Sequence, residues 1–309
     1  MRDERGIGEG SRIGGYVQAA VSAALFGMIA TVTWVLYDAG ASGFEIVFWR
    51  MSVAALAVAV VCCARKVSLR VGRAKLGWVL LASALYAFGI LFLCLAYGTE
   101  SSSGLMTTIY HTYPLIVMLS VAVLFRRRPG AFKLVAAACA LAGAALALLS
   151  GEHWGFTPAG VALALASAVS YALYSVVLER PELQGIPSLT LFLYGCVTGA
   201  LFCLAPTALV PSHLDPSLVA VGALVLLGLA CTAVPYLLYI SAVRAVGSTP
   251  VALLSYLEYP VTIGLLALAF GEVPGSGEVA GCALIVVAGV LTVLPERGAA
   301  PQGALPGTR

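Results

Sequence analysis

Ten apolar segments follow one another along the chain, at roughly 17–37, 44–64, 76–97, 103–125, 132–149, 157–178, 189–209, 218–243, 249–270 and 277–294. An α-helix needs about 20 apolar residues to cross a hydrocarbon core. Lipid offers no partner to a bare backbone amide, so segments of this length must be helical. The sequence therefore predicts an all-α integral membrane protein of ten transmembrane helices. Only 10% of its residues are charged, against about a quarter in soluble domains, which excludes a water-soluble globule. A net charge of +3 gives no nucleic-acid footprint. The polar leader "MRDERGIGEGSRIGG" and the spanning length of the first segment predict that no signal peptide is cleaved.

The charges fix a topology. With the N-terminus in the cytoplasm, alternate loops hold Arg2, Arg5, Arg12, Arg65, Lys66, Arg70, Arg73, Lys75, Arg126, Arg127, Arg128, Lys133, Arg180, Arg244, Arg297 and Arg309. The other loops hold no Lys or Arg, only Asp38, Glu100, Glu152, Asp215, Glu272 and Glu278. Positive charge collects on the cytoplasmic side of membrane proteins, so both termini are expected in the cytoplasm and the protein in the cytoplasmic membrane. Nine or eleven spans would break this segregation. Trp34, Trp49 and Trp78 fall toward segment ends, where interfacial aromatics belong. The eight cysteines all lie within segments, without metal-ligand spacing, and read as small packing residues.

One phrase occurs twice: "YHTYP" at 110–114 and "YLEYP" at 256–260. A shift of 146 residues lays the ninth segment on the fourth without gaps, pairing Tyr110 with Tyr256, Tyr113 with Tyr259 and Pro114 with Pro260. The same register pairs Gly89 with Pro235, and a shift of 145 pairs Ser22 with Ser167 and Phe26 with Tyr171. The chain thus divides into a leader (1–14), a first five-helix repeat (15–150), a second (157–294) and a tail (295–309). Five is odd, so the second repeat must enter the membrane from the opposite side. That is the inverted-repeat architecture of secondary transporters, which bind solute near the midplane between the halves.

The five-plus-five layout, "FWR" at 48–50 opening the second segment, a proline within the fourth and ninth segments, and "GE" at Gly271 and Glu272 closing the ninth carry a family resemblance. Over nearly its whole length the chain resembles the ten-span drug/metabolite transporter superfamily, of the EamA type. The resemblance implies export of small metabolites, often amino acids, through a central cavity lined mainly by the first, third, fourth, sixth, eighth and ninth segments. It also implies a structural role for Arg50. Two positions depart from the family pattern: Arg126 stands where the family ends its fourth span with Glu, and Glu258 is not a general family feature.

The polar positions supply the site candidates. Proline removes a backbone donor and bends a helix, and the freed carbonyl must be met by protein or cavity water. Pro114, Pro235 and Pro260 are candidate hinges, or else static kinks. Thr107, Tyr110, His111 and Pro114 share one helical face, as do Ser255, Glu258, Tyr259 and Thr262. Tyr110, His111, Tyr113, Tyr236, Tyr256, Glu258 and Tyr259 are the candidate substrate contacts; the alternative for each tyrosine is a hydrogen bond between helices. An acid at a helix centre is costly to insert, by about 2.5–3.5 kcal/mol, and is a functional candidate by default. Glu258 has three roles open: carrying a proton, holding a substrate ammonium, or a structural acid. His111 has three as well: a partner to Glu258, a second proton site, or a packing residue. Arg50 lies roughly 9 Å from Glu258 in depth at 1.5 Å per residue, long for a direct pair. It is left to snorkel to the outer interface, to bind helix-end carbonyls or to contact substrate.

No nucleophile–base set, metal spacing or phosphate loop is present in the sequence, so neither an enzyme nor a cofactor is expected. The expected partners are a small-molecule solute, the lipid bilayer and protons as coupling ion. A passive channel, a membrane enzyme or receptor, and an exporter of cationic aromatic compounds remain as alternatives, the last because a carboxylate among tyrosines suits cation–π recognition.

Overall fold

A computed structural model describes residues 9–99, 103–125, 129–149, 157–210, 213–215, 217–270 and 275–293. Among them there is helix and no strand. The helices in chain order are α1 (Glu9–Phe26), α2 (Ile29–Asp38), α3 (Gly43–Ala64), α4 (Arg73–Tyr97), α5 (Ser103–Tyr110), α6 (Tyr113–Leu124) and α7 (Ala131–Leu149). Then come α8 (Pro158–Val177), α9 (Ser188–Leu209), α10 (Leu218–Gly228), α11 (Val234–Val246), α12 (Ser248–Leu254), α13 (Glu258–Phe270) and α14 (Ser276–Val293). Seven continuous or nearly continuous stretches are long and apolar enough to cross a membrane, from Arg12–Asp38, of 27 residues, to Leu218–Val246, of 29. Shorter apolar helices cover Ala131–Leu146 and Val279–Val293. Large apolar side chains such as Leu119, Val123, Leu201, Leu209 and Leu218 stand exposed, the reverse of a soluble surface and what lipid contact requires.

The repeat is visible in the contacts between halves. α4 packs on α8 and α1 on α11; α3 packs on α9 and α7 on α14. Each pairing is either its own image under exchange of the halves or the image of another. Two hydrogen bonds show this at atomic scale. Ser22 Oγ donates to the Pro235 carbonyl at 2.8 Å, and Ser167 Oγ donates to the Gly89 carbonyl at 2.6 Å. These are the residue pairs that the repeat register equates.

The loops follow the same rule. Gly40 and Gly185, equivalent by a shift of 145, both have positive φ, +88° and +79°. A Cβ on Gly40 would lie 2.7 Å from the His213 carbonyl oxygen, so glycine serves both the turn and the close approach. That approach lets His213 N–H donate to Gly40 O and Asp215 N–H to Ala39 O. At the other end of the bundle, Lys75 Nζ donates to Gln184 O and Thr190 Oγ1 to Ser68 O. Here Arg180 lies 4.4 Å from the Trp78 ring centroid, and Arg244 binds Ser188 Oγ and the carbonyls of Leu183 and Ile186. The described basic residues of the 65–75 loop and of the 180–188 connection thus gather at one end.

Among the described residues, helices are interrupted in four of the apolar segments: at Gly27–Met28 between α1 and α2, at His111–Thr112 between α5 and α6, by a π turn (Leu229–Ala233) between α10 and α11, and by a 3-10 turn (Ser255–Leu257) between α12 and α13. Arg126, Arg127, Arg128, Gly271 and Glu272 lie outside the described residues.

Candidate functional site

Pro235 carries no N–H, so the carbonyl of Cys231, one turn earlier, has lost its helical partner. Arg50 fills the defect. Its Nη2 donates to Cys231 O at 3.3 Å and its Nε to Thr232 Oγ1 at 2.6 Å, while Thr232 Oγ1 donates onward to Leu227 O. Arg50 is 5% exposed. It does not snorkel to an interface; it crosses from the first half to cap a broken helix of the second.

The two copies of the phrase break their helices at equivalent places. Leu115 N–H turns back to Thr112 O, a tighter bond than the α-helical one, and the freed His111 carbonyl accepts from Tyr256 Oη at 2.6 Å. Tyr259 Oη meets Thr108 Oγ1 at 2.5 Å. The broken first segment joins them: Thr262 Oγ1 reaches Gly27 O at 2.9 Å and Glu258 O at 3.0 Å. A Cβ on Gly27 would meet Val261 Cβ at 2.8 Å and Glu258 O at 2.9 Å, so only glycine admits α13 at this distance.

These breaks bring His111 and Glu258 together. His111 Nε2 lies 3.4 Å from Glu258 Oε2, with the imidazole fully buried and the carboxylate side chain 15% exposed. The imidazole's other nitrogen, Nδ1, lies 2.8 Å from Thr107 O. A carbonyl only accepts, so Nδ1 must hold a hydrogen. A neutral His111 therefore turns a lone pair on Nε2 toward Glu258. Against an ionised carboxylate that contact is repulsive. A hydrogen on either group would remove that repulsion.

A cavity of about 30 Å³, room for a water or two, opens beside the pair. Its wall includes Ile29 and Thr33 of α2, Gly89, Leu93 and Tyr97 of α4, Tyr110, Tyr113, Tyr171, Tyr236, Arg50 and Glu258. It runs along the half of α4 remote from the basic end. Toward that end stands an aromatic plug: Tyr86 lies 4.6 Å from Tyr236 and 5.3 Å from Tyr174 between ring centroids, and Phe192 stacks on Tyr236 at 5.9 Å.

Of the residues singled out from the sequence, Tyr110, Tyr113, Tyr236, Glu258 and Arg50 line the cavity. His111, Tyr256 and Tyr259 stand behind Glu258, within 6 Å of one another through the imidazole. Pro114 is the second residue of α6, Pro235 the second of α11, and Pro260 lies in the first turn of α13. Sequence reading passed over Tyr97 and Tyr86. It also noted Tyr171 only as the image of Phe26. The signal was the i, i+3 spacing of Tyr171 and Tyr174, the two aromatic residues of a segment otherwise aliphatic and small.

Known proteins match this architecture. One solved crystal structure shares the fold with a TM-score of 0.76 at 21% identity, over 90% of this chain and 97% of its own. A search of curated proteins finds no match. The family model described as the EamA-like transporter family matches twice, over residues 13–149 and 158–294. With both halves accounted for in this way, the chain belongs to the EamA-like transporter family, as a multi-pass membrane protein.

Proposed function

We propose that this transporter is a proton-coupled exporter of a small organic metabolite, foremost an amino acid, working by alternating access. It spans the cytoplasmic membrane ten times with both termini inside. The observation that supports the coupling is the contact between His111 and Glu258 at 3.4 Å, which sets two ionisable side chains, one from each half, against each other. The pair joins the two halves at the two interrupted helices, where a change of tilt alters its surroundings. The proton then exchanges with whichever side the cavity faces. The aromatic plug and the Arg180–Trp78 contact close the basic end; the pairing of residues 39–40 with 213–215 is the corresponding latch at the other.

Export of a cationic aromatic compound is the second reading, supported by tyrosines beside a carboxylate on one cavity wall. The test is uptake of labelled standard amino acids into inside-out vesicles with an imposed pH gradient. Accumulation above the external concentration, abolished by a protonophore, is expected for at least one. Flux that only equilibrates would mark a channel instead.

A further inference from the structure

Within that reading, we infer that Arg50 is an anion subsite of the cavity and that the transported solute carries a carboxylate, as an α-amino acid does. A guanidinium has five N–H donors. Here Nε and Nη2 serve the π turn, and among the described residues Nη1 has no hydrogen-bond partner. Arg50 is part of the cavity wall. No carboxylate among the described residues lies within 4.0 Å of it, although it is 5% exposed. A buried cation held by neutral dipoles alone keeps most of its desolvation penalty, and an anion entering the cavity would relieve it.

The interrupted helices border the same cavity. α2, α6 and α11 each start at the cavity, which Ile29, Tyr113 and Tyr236 of their first turns line. None of the three has an acidic residue in its first turn. Each nonetheless continues from the helix before it through a residue of helical conformation, and Val234 N–H still donates to Leu229 O, so the charge at the cavity rests on Arg50 itself. Only the fourth such end, that of α13, carries an acid, and this is Glu258, which faces His111. The buried guanidinium, bound only to a hydroxyl and a carbonyl, favours an anionic group at Arg50 and opposes a solute that is only a cation.

Binding to the purified protein in nanodiscs tests this without reference to proton coupling. The probes are the standard α-amino acids, each beside its methyl ester and its decarboxylated amine. At least one acid should bind, and its ester and amine should bind about tenfold more weakly or worse, the loss expected for one charged hydrogen-bond set. Arg50→Lys keeps the charge but not the fork; it should lower affinity for the acid by about tenfold and collapse the acid-to-amine ratio. Thr232→Val disturbs the same π turn without removing the guanidinium, and should preserve that ratio. Overturning results are that no acid binds, that the ester or amine binds as tightly, or that the ratio survives Arg50→Lys. If Arg50→Lys does not fold, the comparison of acid, ester and amine on wild type decides alone. Binding of the acid without gradient-driven accumulation would remove the coupling and keep the subsite. Accumulation of an amine in preference to its acid would remove the subsite and keep the transporter.

Discussion

Pro235 creates a carbonyl with no partner, and Arg50, far away in sequence, supplies one. Thr232 is the link, accepting from Arg50 and donating to Leu227. Removing its hydroxyl leaves a buried charged donor unpaired. Thr232→Val should lower stability by about 1–3 kcal/mol, read as a lower thermal unfolding midpoint in detergent; an unchanged midpoint would show that the guanidinium finds another acceptor. The symmetric pair Ser22 and Ser167 makes a milder case. Each donates one hydrogen bond to an equivalent carbonyl, so Ser22→Ala and Ser167→Ala should cost similar amounts, about 0.6 kcal/mol each, and markedly unequal losses would contradict the equivalence. At this scale the sequence was informative about kind and silent about partners. Glu258 and His111 stood out as polar residues at the centres of apolar helices, but nothing in a linear pattern places one against the other. That proximity comes from the rotation of two helices and from the breaks that let them approach.

At the scale of elements, the prolines of the fourth and ninth segments announced a disturbance, and both helices are interrupted beside them. Pro235 likewise marked the eighth segment as a place to bend, but not that the bend would be a π turn, which depends on the side chain that donates to the spare carbonyl; the Gly27–Met28 break was not legible, since a glycine in an apolar run is ambiguous. Gly27 is explained only by what lies across from it, the Val261 side chain and the Glu258 carbonyl. Gly27→Ala should push α13 away and destabilise by about 1–3 kcal/mol, with transport falling alongside stability; a variant as stable as wild type would mean that α13 has slack. Pro114→Ala and Pro260→Ala differ in kind. Each restores a backbone donor in an apolar helix, so insertion should be normal. If the breaks serve the conformational step, turnover should fall more than binding. Wild-type turnover in both would reduce the breaks to static architecture.

For the whole molecule, the segregation of Lys and Arg in the sequence has a spatial counterpart in the contacts of Lys75, Arg180 and Arg244 at one end of the bundle. The repeat was legible because the phrase YxxYP and the hydropathy pattern share one register, and the paired serine bonds rest on that register. The chemistry is not symmetric, however. His111 is matched by Leu257 and Glu258 by Thr112, so each half contributes one member of a single titratable pair. A central proton shared between halves is the claim on which the account of coupling rests. The measurement that tests it most directly is transport by Glu258→Gln in proteoliposomes beside wild type, with and without a pH gradient. The amide keeps the size of the carboxyl and cannot cycle a proton. Gradient-driven accumulation should be lost while exchange of solute for solute, which needs no net proton movement, continues. Accumulation by Glu258→Gln at the wild-type level would contradict the claim and leave the pair a structural contact.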